Sequence, residues 1–162
     1  MIDTKVYCVF PAAGKTWLYL HQDKYGLKML DSDSSQFHWE WGAEGKGLVR
    51  IKNSEWPDNY IHYIKNNIGI ANMILVSTHK EVRDALNAAG IDYTIVLPEK
   101  DAKAEYIGRC YIREQERQEG CPAEAMYNNW EKWWIDCIND GHKCLILNRN
   151  EHFSDYFKDM MM

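Results

Sequence analysis

The stretch Val6–Thr16, VYCVFPAAGKT, decides how the rest of the chain is read. An apolar run breaks into a tight loop that ends in Gly14-Lys15-Thr16, just where a helical pattern begins. A loop built to hold phosphate needs this order. A buried strand delivers it, backbone N–H groups at the following helix N-terminus cradle phosphate oxygens, a lysine reaches the β/γ-phosphates, and a hydroxyl takes Mg²⁺. On this reading Pro11, Ala12, Ala13, Gly14, Lys15 and Thr16 hold the donor, with Thr16 also on the metal. The full pattern has Gly where this chain has Val9. The alternative is a plain strand-to-helix turn carrying an exposed lysine.

Outward from that loop, strand and helix signals alternate, which points to an α/β fold with a mainly parallel sheet. The first strand is 5–10 and its helix about 15–24. A short second strand, 28–30, runs into Asp31-Ser32-Asp33. An irregular Gly- and Trp-rich stretch, 36–55, precedes a helix that Pro57 opens and that runs to about Asn67. Met73–Ser77 is an uninterrupted apolar strand of the kind that is covered on both faces. Thr78 and Glu81 have capping-box spacing for a helix to about Ala89, which Gly90 stops. Then come a strand at 93–97 ended by Pro98, a charged helix over about 102–118, a break at Gly120-Cys121-Pro122, a helix over 123–139, a strand at 143–147 and a short terminal helix. No repeat or linker divides the chain, so residues 1–162 read as one domain.

Ligands of an open parallel sheet bind at the carboxyl ends of its strands. Three such ends carry chemistry here: Lys15/Thr16, Asp31/Asp33 and Ser77/Thr78/His79. One of the two Asp residues can hold Mg²⁺, which favours few carboxylates and keeps several waters; Asp31 is assigned that role beside Thr16. Asp33 can orient an attacking group or accept its proton, the part such an Asp plays in phosphoryl transfer. Asp31 or Ser32 as a simple turn cap is the competing reading. The third strand lacks the terminal Asp of a Walker-B motif, which leaves His79 as a substrate-side candidate or a packed histidine.

Arg109, Arg113 and Arg117 recur every fourth residue, so on one helix they form a single stripe. Glu105, four residues before Arg109, offsets part of their repulsion. The stripe is either a salt-bridged solvated face or a lid over 102–122, whose arginines close on the transferred phosphoryl group and exclude water. Trp39, Trp41 and Trp56, with Arg50 and Lys52 between them, could stack a nucleobase and hold an acceptor phosphate. Trp39 and Arg50 are the acceptor-side candidates. Trp130, Trp133 and Trp134, at helical spacing, read as core.

Composition bounds these readings. With 162 residues, 46% hydrophobic and 27% charged, the chain reads as a soluble domain large enough for one core. It shows neither an 18-residue apolar run nor a secretory leader, so a cytoplasmic protein without a membrane span is expected. A net charge of −5 argues against nonspecific coating of nucleic acid. Five cysteines without C-x-x-C spacing suggest neither a disulfide framework nor a zinc site.

FPAAGKT, LDSDSSQF, VSTHKEVRDAL and the Arg109/Arg113/Arg117 stripe together resemble the small P-loop kinases of the nucleotide-kinase group, particularly the short bacteriophage versions. The resemblance spans most of the chain. It implies a three-layer α/β/α sandwich around a five-stranded mainly parallel sheet, an acceptor bound near 36–70 and an Arg-bearing lid. It also implies Mg²⁺ and ATP as donor and a (deoxy)nucleoside monophosphate as acceptor, in a monomer or homodimer. Asp31-Ser-Asp33 is similar to kinases of hydroxyl groups, such as shikimate kinase and polynucleotide 5′-hydroxyl kinases, and makes a hydroxyl acceptor the alternative, with Asp33 as base. A nucleotide-sequestering protein without turnover and a plain NTPase are the remaining rivals.

Overall fold

Five parallel strands form the centre of the protein. The computed structural model describes residues 2–31, 39–42, 49–52, 54–118 and 120–160, with 39–42, 49–52 and 158–160 as backbone. In chain order the elements are β1 (Lys5–Val9), α1 (Lys15–Leu20), a 3₁₀ turn (Gln22–Tyr25), β2 (Met29–Asp31), β3 (Trp39–Gly42), β4 (Val49–Lys52) and α2 (Asp58–Asn67). They continue with β5 (Met73–Ser77), α3 (Lys80–Ala88), β6 (Thr94–Pro98), α4 (Lys103–Gln115), α5 (Ala123–Ile138), β7 (Cys144–Leu147) and a 3₁₀ segment (Phe153–Met160). The main sheet has the order β2-β5-β1-β6-β7, and every pairing in it is parallel.

β1 is the central strand, and its side chains alternate between two covering layers. Tyr7 meets Phe153 at 5.0 Å and Phe157 at 6.4 Å between ring centroids, on the side where α1 packs against the C-terminal 3₁₀ segment. Phe10 points the other way, against Tyr106 of α4 and Trp130 of α5. On that second side α2 packs on α3 and α4 on α5. Right-handed crossovers require this division, because the step from β1 to β2 runs opposite to the three later steps along the sheet. The architecture is a three-layer α/β fold.

β5 shows why the apolar run was legible. Ile74, Leu75 and Val76 are fully buried between β2 and β1, each gaining roughly 1.5–3 kcal/mol from leaving water. Other boundaries moved for identifiable reasons. α1 stops at Leu20 because His21 leaves the helical region (φ −110°, ψ 21°) and its N–H is shared between the Trp17 and Leu18 carbonyls, after which the 3₁₀ turn takes over. The capping box at Thr78 and Glu81 does not form: α3 starts at Lys80, flanked by His79 with no side-chain cap, and Glu81 accepts the indole N–H of Trp56. The stretch 36–55, expected to be irregular, contains an antiparallel ladder, β3 on β4, pairing Trp39 with Lys52 and Trp41 with Arg50.

A polar knot ties α3 to the chain entering β7. Arg83 and Asp140, each with a side chain only 5% exposed, meet at 2.6 Å, and Asp140 also accepts from Tyr93 at 2.9 Å and His142 at 2.8 Å. Burial alone would raise the Asp140 pKa, but the bonds from Arg83, Tyr93 and His142 outweigh it and hold the carboxyl below its ordinary 3.8. Its contribution to stability is therefore complete well above that pH and is lost as pH falls below it. Asp140→Ala, which strands Arg83, should cost about 3–5 kcal/mol in urea unfolding at pH 7. The loss should shrink in acid. An equal loss at pH 7 and pH 3 would contradict this account.

Candidate functional site

The carboxyl edge of the sheet carries Lys15, Thr16, Asp31, Ser77 and His79. β1 ends at Val9, and the chain turns tightly, with the Ala13 N–H donating to the Phe10 carbonyl at 3.1 Å. Ala12 has φ 68° and Gly14 φ 97°, so the loop uses two left-handed positions before α1 begins at Lys15. Ala12 carries the cost of that conformation in a side chain small enough to tolerate it.

Lys15 and Thr16 both turn towards the end of β2. The Lys15 ammonium pairs with one carboxylate oxygen of Asp31, and the Thr16 hydroxyl lies 3.3 Å from the other. The pair is largely shielded, with side-chain exposures of 22% for Lys15 and 12% for Asp31. Between these two strands, β5 presents Ser77, in register with Val9, and the Ser77 hydroxyl lies 3.0 Å from Nδ1 of His79. Asp33 lies outside the described residues, as do the side chains of Trp39 and Arg50, whose backbones face one another's strands in the β3–β4 ladder.

The arginines are arranged differently from a stripe on a free lid. Arg109 is a strut: it donates to the Ala12 carbonyl at 2.9 Å, the Glu151 carbonyl at 2.7 Å and the Glu105 carboxylate at 3.0 Å. Its guanidinium also lies 4.3 Å from the Tyr106 ring centre. Arg113 folds against the backbone of Gly120, one guanidinium nitrogen standing 2.9 Å from where a Cβ would be. Helix α4 ends at Gln115, and Arg117, at φ 55°, sits beyond it. The expected three-arginine helical stripe is thus two residues, Arg109 and Arg113. It breaks because the Gln118 N–H returns to the Arg113 carbonyl, closing the helix end.

A third stretch of chain completes the edge, and sequence reading passed over it. The residues after β7, Asn148–Phe153, cross the loop: Phe153 N–H donates to the Ala13 carbonyl at 2.8 Å, and Asn150 N–H donates to Glu105 at 2.8 Å. His152 lies on Gly14, its Cβ 3.1 Å and its Cδ2 3.2 Å from a Cβ built there. The signal was present, since Asn148–His152 is a polar run following an apolar strand at the same sheet edge. The rule that ligands bind at the carboxyl ends of parallel strands applies to β7 as it does to the first three strands.

A groove of about 250 Å³ lies between α4 and α5, lined by Lys100, Asp101, Lys103, Trp130, Glu131 and Trp134. Its polar groups serve packing. Trp130 and Trp134 donate to the Lys100 and Pro98 carbonyls at 2.9 Å each, and Lys103 meets Glu131 at 3.1 Å. Among the described residues, no group of three or more His, Cys, Asp or Glu is placed to hold a metal by itself, and no helix is long and apolar enough to cross a membrane.

Comparison with protein-family models and with curated protein sequences gave no match to either. The reading of this edge therefore rests on its own geometry. Gly14 combines a left-handed φ with His152 packed only 3.1 Å from where a Cβ would stand. Gly14→Ala should lower stability by about 1–2 kcal/mol from the backbone term alone, with a further loss from displacing His152. A thermal melt unchanged from the parent would contradict the close packing.

Proposed function

We propose that this protein is a P-loop phosphotransferase that moves a phosphoryl group from Mg²⁺-ATP to a nucleotide, most simply a (deoxy)nucleoside monophosphate. The observation that carries the reading is the meeting of Lys15 and Thr16 on the Asp31 carboxylate at the end of β2. A lysine and a hydroxyl adjacent in sequence, just after a tight loop from the central strand, are the two side chains a triphosphate with its metal requires.

The donor set fits Mg²⁺. This ion binds one or two carboxylates together with substrate phosphates and waters rather than a protein cage, and Asp31 with Thr16 supplies a carboxylate and a hydroxyl. Bound there, the ion would offset charge on the phosphates. Without nucleotide, Asp31 neutralises Lys15 and keeps its ammonium at the loop. A polyphosphate would compete for that ammonium, leaving Asp31 and Thr16 to face the metal. Arg109 acts on the donor site through the loop, whose Ala12 carbonyl it holds. Arg113 is the lid candidate, Arg117 remains assigned to the donor nucleotide, and His79, Trp39 and Arg50 remain assigned to the substrate side.

Acceptor choice turns on Asp33. Phosphate oxygens of a monophosphate are already nucleophilic, whereas a hydroxyl needs a base. If a hydroxyl is the acceptor, Asp33→Asn should cut the rate by about 10²–10⁴, and a monophosphate kinase should lose far less. Assays of labelled ATP against nucleosides, nucleotides and oligonucleotides decide between them.

Lys15→Ala should abolish phosphoryl transfer while leaving the circular dichroism spectrum and cooperative melting intact. Full activity in that variant would overturn the assignment. Tight nucleotide binding by the parent with no transfer to any acceptor would favour sequestration instead.

A further inference from the structure

The segment after β7 is bonded directly to the loop after β1. The Phe153 ring is fully buried against Tyr7, and its N–H is anchored to Ala13. The preceding backbone N–H, of His152, is taken by Asp155 at 2.8 Å. These two bonds fix the direction in which His152 leaves the chain, and its exposed side chain comes to rest on Gly14, next to Lys15.

We propose that His152 contacts the phosphate chain of the bound nucleotide and takes up a proton as that chain arrives. The inference rests on the nucleotide-binding reading of the Lys15 loop and adds to it a group that becomes cationic on binding.

The electrostatic surroundings support it. Burial comes first, then Arg109, with Arg113 adding to them, in holding the His152 imidazole below its ordinary 6.5; Asp155 and Glu105 act in the opposite direction. The groups facing the ring are thus Arg109, Arg113 and Glu105 from α4 and Asp155 from its own segment, with Lys15 following Gly14. Glu105 already pairs with Arg109 and Asp31 with Lys15, whereas Arg113 has no carboxylate partner among the described residues. These surroundings favour the neutral form of the ligand-free ring. A polyphosphate brings several negative charges to the same place, and a nearby opposite charge favours the protonated form. The sign follows: binding raises the pKa of the ring, so affinity is greatest at low pH and falls as pH rises through the bound-state value. A ring that only seals the loop would leave affinity independent of its titration.

Isothermal titration of the full-length protein with Mg²⁺-ATP and with Mg²⁺-tripolyphosphate tests this. It compares the parent with His152→Gln at pH 6, 7 and 8, in buffers of different ionisation enthalpy. Comparing the two proteins cancels protonation of the ligands themselves. The parent should take up more protons than the variant. Its affinity relative to the variant should fall by up to about tenfold for each unit of pKa shift as pH rises, with both ligands. Equal proton uptake and parallel pH profiles would overturn the assignment while leaving the nucleotide site standing. A difference with ATP but none with tripolyphosphate would also overturn it, because the contact would then lie at the nucleoside end. Failure of the folded parent to bind either ligand would remove the nucleotide reading itself, and this inference with it.

Discussion

The guanidinium of Arg109 joins three stretches of chain that are distant in sequence. It holds the Ala12 carbonyl of the loop after β1, the Glu151 carbonyl of the segment after β7, and Glu105 on its own helix. Each charge-assisted hydrogen bond of this kind is worth more than a neutral one, and a planar fork with several donors meets several acceptors without losing rotamer freedom again for each. Ala12, left-handed without being a glycine, holds its conformation only with support from its surroundings. Arg109 and the Phe153 N–H brace the two carbonyls between them, those of Ala12 and Ala13. The loop is thereby formed before any ligand arrives, so ordering it on binding costs little.

This role separates Arg109 from the one its spacing suggested. A lid arginine must travel; this one is 15% exposed and bonded to the loop itself. The i,i+4 pattern correctly put Arg109 and Arg113 on one helix and Glu105 within reach of Arg109. It could not say that the helix lies along the sheet edge, because that depends on how α4 and α5 pack together over Phe10. Arg117 illustrates the opposite error: the periodic pattern extends two residues past Gln115, where a backbone bond from Gln118 closes the helix.

What was legible follows from which forces are local. The buried strands were readable because β5 and β1 show unbroken apolar runs, and the strand-loop-helix order around Lys15 follows from chain direction alone. Asp31 was readable because a short strand must end at the edge where the loop begins. The pairing order of the strands was not, since long-range register leaves no trace in one sequence. The β3–β4 ladder was missed although Trp39, Trp41, Val49 and Ile51 alternate with polar residues, because each run is only four residues long. The brace after β7 was missed because its partners, Ala13, Glu105 and Arg109, lie more than 40 residues away in sequence.

The nucleotide reading makes one spatial claim that can be examined atom by atom. In ¹⁵N-labelled protein, titration with Mg²⁺ and a non-hydrolysable ATP analogue should shift the backbone amide resonances of Gly14, Lys15 and Thr16 more than any others. Smaller shifts should appear at Asp31 and His152. Perturbations confined to another surface, such as the groove at Lys100 and Trp134, or none at millimolar analogue, would contradict the account.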